Sequence, residues 1–478
     1  GGPPWHRQAG LAEAERGTYR IEALRGGRVV ACAETAVGPG AAPGARGSGQ
    51  WDLAAQALYA AWIERLFDAP ADQAQSFASL APVLRDPGRN FLHGYLGAGE
   101  DERVPAEPDC ADLSYFLRAY FAWKLGLPVA YRACSRGTRD GPPRCEAPTI
   151  ERAFIGSAAS AATFREVARR IVDTIHSGSG RTGLADAATD LYPVALERAA
   201  LWPGTVYAHP YGHTLVLVKW VPQTADRGGL LLAVDAQPDN SVSRKRFWEG
   251  TFLFAQTPSA GAGFKAHRPL VPAGGTLRLL PNDALDGRDA VPPFSVEQAH
   301  LSPADFYARI ERLINPRGLE PEAAYDATLA ALMEQVETRV TSVANGEAYV
   351  RAHPGAPIPM PRGGAIFETT GPWEDYSTPS RDMRLLIALR VLADLPERIR
   401  RYPELFVLRG EDPATAARRI EALHGRRSHE RFVTYARSDG SPWRLSLADL
   451  YARRAALEVA YNPNDCVERR WGASPGAD

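Results

Sequence analysis

Residues 108–128 read PDCADLSYFLRAYFAWKLGLP. Apolar residues recur every three or four positions over 113–120, which predicts an amphipathic helix with one buried face. Asp109 is a suitable N-cap, and Gly126 marks the end of the helix. The helix would carry Cys110 in its first turn, and this placement decides how the rest of the chain is interpreted.

A cysteine at the start of a helix has the surroundings of a catalytic nucleophile. The first-turn amides are unpaired and carry partial positive charge, so they stabilise a thiolate. The thiolate is the form that attacks a carbonyl carbon. We therefore predict Cys110 as the nucleophile. The alternative is a cysteine that forms half of a disulfide.

A base and an orienting acid follow on two predicted strands. Residues 211–220, YGHTLVLVKW, predict a strand with His213 at its head, and residues 229–235, GLLLAVD, predict a second strand that ends in Asp235. A hairpin folded near residue 224 places His213 opposite Asp235, with Cβ atoms roughly 5 Å apart. Asp235 would then fix the imidazole tautomer and favour the imidazolium.

Three other histidines are rivals for the role of base. The same hairpin leaves His209 beyond the strand of Asp235, and His93 and His176 are weaker rivals. Residues 176–182, HSGSGRT, look superficially like a phosphate loop but lack its Lys-Ser/Thr pair, so we predict a mobile surface loop. Cysteine and histidine spacings of the zinc-site type are absent, and we expect neither a metal nor another cofactor.

The order Cys, His, Asp on a helix and paired strands resembles the transglutaminase-like branch of the papain-type cysteine peptidase superfamily. The resemblance lies in the Cys110 helix, the turn and strand at residues 126–132, and the strand positions of His213 and Asp235. It covers roughly residues 85–255. It implies an α+β fold, with the Cys helix packed on an antiparallel sheet. It also implies that Cys110 is the nucleophile, His213 the general base and acid, and Asp235 the orienting acid.

The sequence departs from that family in two respects. Thr214 follows the histidine where the family usually has an aromatic residue. The interval from Cys110 to His213 is 103 residues, which is long and implies an inserted helical segment.

Length and composition bound the architecture. A chain of 478 residues with 45% hydrophobic content is expected to form two domains. We predict a loosely organised arm over 1–50, a catalytic domain over 51–294 and a mainly helical domain over 295–478. With a net charge of −1, the chain lacks the excess of basic residues that is typical of nucleic-acid-binding proteins. The sequence contains no run of 18 apolar residues, the length needed to span a bilayer. Scarce lysine and abundant Ala, Gly and Pro indicate a GC-rich bacterial genome.

The five cysteines indicate in which cellular compartment the protein is found. Setting Cys110 aside leaves four, which allow three pairings. Cys134 and Cys145 flank a turn-rich loop that would gain from a disulfide, and Cys32 and Cys466 would then join the two ends of the chain. Two disulfides predict a periplasmic or secreted protein whose export signal or anchor is missing from this chain. The alternative is a cytosolic enzyme with five reduced cysteines.

Residues 366–382 form a segment rich in aromatic and hydrogen-bonding side chains that runs into a helix. One hypothesis is that Trp373, Glu374 and Tyr376 contact the substrate. The alternative is a helix-entry loop whose aromatic side chains dock on the first domain.

The sequence as a whole predicts a thiol-dependent amide hydrolase, either a cysteine peptidase or an amidase. In an exported bacterial protein the expected substrates are peptides or envelope proteins, including peptidoglycan stem peptides. One alternative is a transglutaminase that crosslinks proteins through the same triad. The other is a catalytically idle scaffold that binds an envelope partner.

Overall fold

The computed structural model describes residues 17–37, 49–97, 99–155, 159–237, 239–288, 290–367 and 371–473. The chain divides into two compact units. The first consists of Gly1–Trp220, Leu232–Lys245 and Ala255–Leu301, and the second of Val221–Leu231, Arg246–Phe254 and Ser302–Asp478. The long part of the second unit begins close to residue 295, where the sequence predicts a helical domain.

The first unit contains an antiparallel seven-stranded sheet. Its strands are β3 (Ser76–Phe77), β6 (Leu191–Pro193), β7 (Val206–Ala208), β8 (Thr214–Val221), β9 (Leu230–Ala236), β10 (Val242–Arg246) and β11 (Gly263–His267). The strand order is β3-β10-β9-β8-β7-β11-β6. The central strands β7, β8 and β9 are buried on both faces, which explains why their sequences are nearly continuous apolar runs. The α+β class expected from the sequence is confirmed.

Three two-stranded antiparallel ribbons accompany the sheet. They are β1 (Gly17–Arg25) with β2 (Arg28–Val37), β4 (Val129–Tyr131) with β5 (Thr149–Glu151), and β12 (Leu270–Ala273) with β13 (Thr276–Leu279). The β1–β2 hairpin accounts for the described part of the predicted N-terminal arm. Residues 1–16 and 38–48 of that arm lie outside the described residues.

Five helices belong to the first unit: α1 (Leu53–Leu66), α2 (Ala81–Leu84), α3 (Leu113–Leu125), α4 (Ala161–Thr174) and α5 (Ser177–Gly180). The predicted cysteine-bearing helix is α3, and it is buried on almost every side, not on one face. Helix α1 covers one side through Trp62, which stacks on Tyr120 at 5.4 Å between ring centroids. Helix α4 covers another through Phe164, which stacks on Trp123 at 4.7 Å.

A buried lysine at the end of α3 fixes the preceding segment. The Lys124 Nζ lies 2.6 Å from a carboxylate oxygen of Glu100 and 2.6 Å from one of Asp101. A buried ammonium requires such partners because its desolvation is costly. The carboxylates in turn accept hydrogen bonds from the amides of Leu96 and Gly94, at 3.0 and 2.7 Å. The residues before Cys110 are therefore held against the helix that follows it.

The second unit is mainly helical, as predicted. It contains α6 (Pro303–Ile314), α7 (Pro321–Ala352), α8 (Pro372–Tyr376), α9 (Pro379–Ala393), α10 (Leu395–Arg401), α11 (Pro413–Glu430), α12 (Leu447–Ala452), α13 (Arg454–Leu457) and α14 (Val467–Arg470). It also contains an antiparallel hairpin of β14 (Phe432–Ala436) and β15 (Pro442–Ser446), which the sequence did not predict. A buried salt bridge joins α7 to α9. In it the Arg339 guanidinium donates two hydrogen bonds to the Asp382 carboxylate, at 2.7 and 3.0 Å.

Within the described ranges, no helix combines the length and the apolar character that crossing a bilayer requires.

Candidate active site

Cys110 lies in a turn that leads into α3. The helix itself begins at Leu113, three residues later than Cys110. The Asp109 carboxylate accepts hydrogen bonds from the amides of Ala111 and Asp112, at 2.8 and 3.0 Å, and its carbonyl accepts one from Leu113 at 3.0 Å. Asp109 therefore caps the turn. Cys110 is half-buried, and its own amide makes no hydrogen bond with any described residue.

A tight connection between β7 and β8 positions His213. Ala208 pairs with Thr214, and the His209 amide donates to the His213 carbonyl at 2.8 Å. Gly212 has a φ of +118°, and a Cβ built there would lie 2.7 Å from the Cβ of Ser177. Only glycine satisfies both constraints. The glycine thus allows the chain to turn and present His213 at the head of β8.

Asp235 lies on β9, which neighbours β8 in the sheet. The His213 Nε2 is 3.1 Å from the Asp235 Oδ2. The structure therefore brings together the two residues that a hairpin folded near residue 224 was expected to place opposite each other. Two further side chains bind this carboxylate. The Gln237 amide donates to Oδ2 at 2.7 Å, and the Ser243 hydroxyl donates to Oδ1 at 3.1 Å.

The sequence analysis did not identify Gln237 or Ser243. Gln237 is two residues after Asp235, so strand alternation could have placed the two side chains on one face. The contact from Ser243 depends on the pairing of β9 with β10, and no local signal indicates it.

Cys110 and Asp235 both influence the protonation of His213. Burial alone would lower the pKa of His213, but the negative charge and hydrogen bonding of Cys110 and Asp235 outweigh burial and raise this pKa to about 9. A histidine with this pKa is an imidazolium at neutral pH. An imidazolium at this position would form an ion pair with a thiolate.

Asp112 is a buried carboxyl group two residues from Cys110. Burial, together with the neighbouring Asp109 carboxylate, raises the pKa of Asp112 to about 8. Asp112 is thus largely protonated at neutral pH. It adds little negative charge beside a Cys110 thiolate, whereas an ionised carboxylate would oppose that thiolate.

Thr214 joins the cysteine turn to the sheet. Its hydroxyl donates a short hydrogen bond to the Cys110 carbonyl. In the sequence, Thr214 was only a departure from an aromatic family pattern. The structure gives it a positioning contact that connects residues 104 positions apart, which local sequence patterns do not reveal.

The segment at 176–182 supports the same region, and the predicted mobile surface loop is wrong. It forms the short helix α5, in which Gly178, Ser179 and Gly180 are buried. The segment forms a helix because His176 caps its N-terminus. The His176 Nδ1 accepts from the Gly178 amide at 3.0 Å, and its Nε2 contacts the Cys134 carbonyl at 2.8 Å.

Arg181 ties three loops together beside His213. Its guanidinium donates to the carbonyls of Ser177, Pro210 and Arg136, at 3.3, 3.3 and 3.2 Å. Pro210 belongs to the connection that carries His213. Arg136 belongs to the loop closed by the disulfide between Cys134 and Cys145. The disulfide loop is therefore connected through one side chain to the segment that carries His213.

The rival histidines lie in other environments. His209 is fully buried, and its ring is 5.3 Å from that of His213 between centroids. Its Nδ1 is 2.7 Å from the Tyr211 hydroxyl. His176 caps α5, and His93 lies in the turns that follow α2. The hydrogen bond from an imidazole to Asp235 comes from His213.

Of the two predicted disulfides, the structure contains one and lacks the other. The bond between Cys134 and Cys145 is present. Cys32 and Cys466 are free and exposed, so the predicted second disulfide is wrong. That pairing rested on the even number of remaining cysteines, and an even count holds no information about position. Cys32 lies on β2, whereas Cys466 is the N-cap of α14.

The three proposed substrate-contact residues lie on α8 in the second unit. Trp373 is buried, and its indole N–H donates to the Ile366 carbonyl at 3.2 Å. Tyr376 stacks on Tyr349 of α7 at 4.2 Å between ring centroids. These contacts are made within the unit itself. A substrate contact by Trp373, Glu374 or Tyr376 stays a prediction.

In the part of the chain that the structure describes, no group of three or more His, Cys, Asp or Glu side chains is arranged to hold a metal ion. Comparison with protein-family models, with curated proteins and with solved structures finds no match for this chain.

Proposed function

We propose that this protein is a thiol-dependent amide hydrolase, a cysteine peptidase or amidase with a papain-type core of the transglutaminase-like kind. The proposal rests on one observation. A single imidazole, His213, lies 3.1 Å from a buried carboxylate and interacts electrostatically with a half-buried thiol at a helix entrance, and its pKa is raised to about 9. A nucleophile, a base and an orienting acid in this order are what covalent acyl transfer requires.

In the first half of the reaction, the Cys110 thiolate attacks the amide carbonyl carbon. The tetrahedral intermediate then collapses, the C–N bond breaks, and the His213 imidazolium gives its proton to the leaving amine. The product is a thioester on Cys110. The Cys110 amide, which has no partner among the described residues, supplies one hydrogen bond to the oxyanion.

In the second half, water attacks the thioester carbonyl. Neutral His213 takes a proton from that water, and the Cys110 thiolate leaves, which restores the ion pair. Asp235 keeps the ring in place throughout. Ser243 and Gln237 hold both Asp235 oxygens, so the carboxylate cannot rotate away from the imidazole without losing hydrogen bonds.

The substrate class follows from the proposed compartment. The bond between Cys134 and Cys145 supports export to an oxidising environment, the periplasm or beyond, because such bonds are rare in reducing compartments. Peptides of the bacterial envelope, including peptidoglycan stem peptides, are the amides available there. We propose them as the substrate class.

The test is alkylation of the unreduced protein with iodoacetamide across pH 4–9, with peptide mass spectrometry. Cys32 and Cys466 are free and exposed, so they serve as reference thiols in the same molecule. We expect Cys110 to react fastest well below pH 8.5, the usual pKa of a free thiol being about 8.5. His213→Ala should remove that advantage.

Two outcomes would redirect the proposal. If Cys110 reacts no faster than Cys32 and Cys466, the protein is not a thiol enzyme and the idle scaffold becomes the better account. If Cys110 is activated, peptide hydrolysis and incorporation of a labelled amine are compared next. Dominant amine incorporation would identify a transglutaminase.

A further inference from the structure

A small cavity in the first unit has both polar and apolar walls. Its volume is about 30 Å³, and its lining includes Tyr59 and Gln56 of α1, Arg118 of α3, Thr205, and His267 of β11. The proposed reaction uses none of these side chains. Two of them, Tyr59 and His267, have a polar atom without a partner among the described residues.

Arg118 is a half-buried cation without a carboxylate partner among the described residues. No described Asp or Glu lies within ion-pair distance of it, and the groups that most affect its pKa besides burial are two phenols, Tyr59 and Tyr192. Its guanidinium lies over the Trp51 ring, 3.6 Å from the centroid, and its Nη1 is 3.5 Å from the Gln56 Oε1. Neither contact neutralises the charge. The charge of Arg118 is therefore available to attract an anion.

Two more polar atoms that line the cavity have no partner among the described residues. They are the Tyr59 hydroxyl and the His267 Nε2, on side chains only 3% and 8% exposed. Burial, and then the Arg118 charge, hold the pKa of His267 well below its usual range. His267 is therefore a neutral imidazole, which can carry its proton on Nε2 and donate it. Burial likewise raises the pKa of Tyr59, so this phenol also keeps its proton.

We propose that this cavity binds a monovalent inorganic anion of the size of chloride. The cavity presents one positive charge and donors from Arg118, Tyr59 and His267, with no ionised group of opposite sign. One water needs about 10–15 Å³ of such space, so a volume of about 30 Å³ accommodates a chloride. The inference is independent of the proposed amide hydrolysis.

The experiment uses the full chain at constant ionic strength, with chloride replacing gluconate in steps up to about 50 mM. We expect the Tm to rise with chloride, because a ligand that binds only the folded state stabilises it. We also expect line broadening of the ³⁵Cl NMR signal, which bromide should reverse by competition.

Matched variants locate the ion. Tyr59→Phe removes one donor and should weaken chloride binding roughly tenfold or more, the usual effect of losing a hydrogen bond to a charged group. Arg118→Met should abolish binding. Tyr192→Phe is the control, because the Tyr192 hydroxyl already donates to the Pro292 carbonyl at 2.8 Å and should leave chloride binding unchanged.

Two results would overturn the proposal. If the wild-type protein shows neither a chloride-dependent Tm nor ³⁵Cl broadening, the cavity holds only water. If Tyr59→Phe binds chloride as tightly as the wild type, the anion binds elsewhere. The second result decides the matter even if Arg118→Met does not fold.

Discussion

His213 is the residue on which the proposed chemistry depends most directly. In that chemistry its two neighbours have different roles, since Cys110 attacks as the thiolate that pairs with the imidazolium and Asp235 holds the ring in place. The sequence predicted Cys110, His213 and Asp235 because a helix start, the beginning of a strand and a hairpin all have local sequence patterns. It missed Thr214, Ser243 and Arg181, because their contacts join residues that are distant in sequence and become neighbours only after folding.

The raised pKa of His213 makes a prediction for pH dependence. His213 must be protonated to release the leaving amine, so acylation should decline as pH rises through about 9. Asp235→Asn removes a negative charge that raises this pKa, and the alkaline limb should then move to lower pH. Asp239→Asn, an exposed carboxylate on the same chain segment, is the control. Rates of peptide hydrolysis against pH measure the shift, and an unmoved limb in Asp235→Asn would refute the assignment.

The raised pKa of His213 also predicts how the stability of the folded protein changes with pH. The folded-state pKa of His213 is raised, so the folded protein binds the proton more tightly than the unfolded chain does. This contribution is complete below the usual pKa of about 6.5 and is lost as pH rises through about 9. Denaturant unfolding at pH 6, 7.5 and 9.5 checks it. The difference between wild type and His213→Ala should shrink towards the highest pH, and a constant difference contradicts the assignment.

At the scale of elements, the sequence predicted a mainly helical domain over 295–478. Helices α6 and α7 in that range each begin with a proline, which favours the first helical position. The β14–β15 hairpin was missed in a region read as helical. Its Asp439-Gly440 turn is a hairpin signal, and β14 alternates exposed and buried residues, so local evidence existed. Helix α5 was missed for a different reason, since its cap depends on a distant carbonyl at Cys134.

The three-loop contact of Arg181 predicts an effect on catalysis. Arg181→Gln loses donors to the carbonyls of Pro210 and Arg136, so the connection that carries His213 should move more freely. We expect turnover to fall roughly tenfold to a hundredfold, since small displacements of a catalytic group have effects of this size. Arg169→Gln, on an exposed side chain of α4, is the control. Alkylation of Cys110 is measured in parallel, and its rate at low pH should fall with turnover.

If Arg181→Gln lowers the Tm while turnover and Cys110 alkylation at low temperature stay normal, Arg181 is only structural. In that case the disulfide loop has no influence on the position of His213.

At the scale of the whole molecule, each of the two compact units contains buried charged side chains that are held by partners of opposite charge. Lys124 is held by Glu100 and Asp101 in the first unit, and Arg339 is held by Asp382 in the second. Composition alone predicted two domains but not these pairs. Charged residues are usually exposed, and only the fold decides which few are enclosed.

The pair in the second unit leads to a prediction of unit-specific stability. Asp382→Ala leaves Arg339 buried without its carboxylate and should destabilise the second unit by about 3–5 kcal/mol. Glu404→Ala breaks the exposed contact with Arg312 and should cost about 1 kcal/mol at most. Chemical denaturation is followed at the same time by circular dichroism and by alkylation of Cys110. Because Cys110 belongs to the first unit, we expect Asp382→Ala to unfold helices at lower denaturant while the fast reaction of Cys110 persists. Loss of both signals together would show that the two units unfold as one.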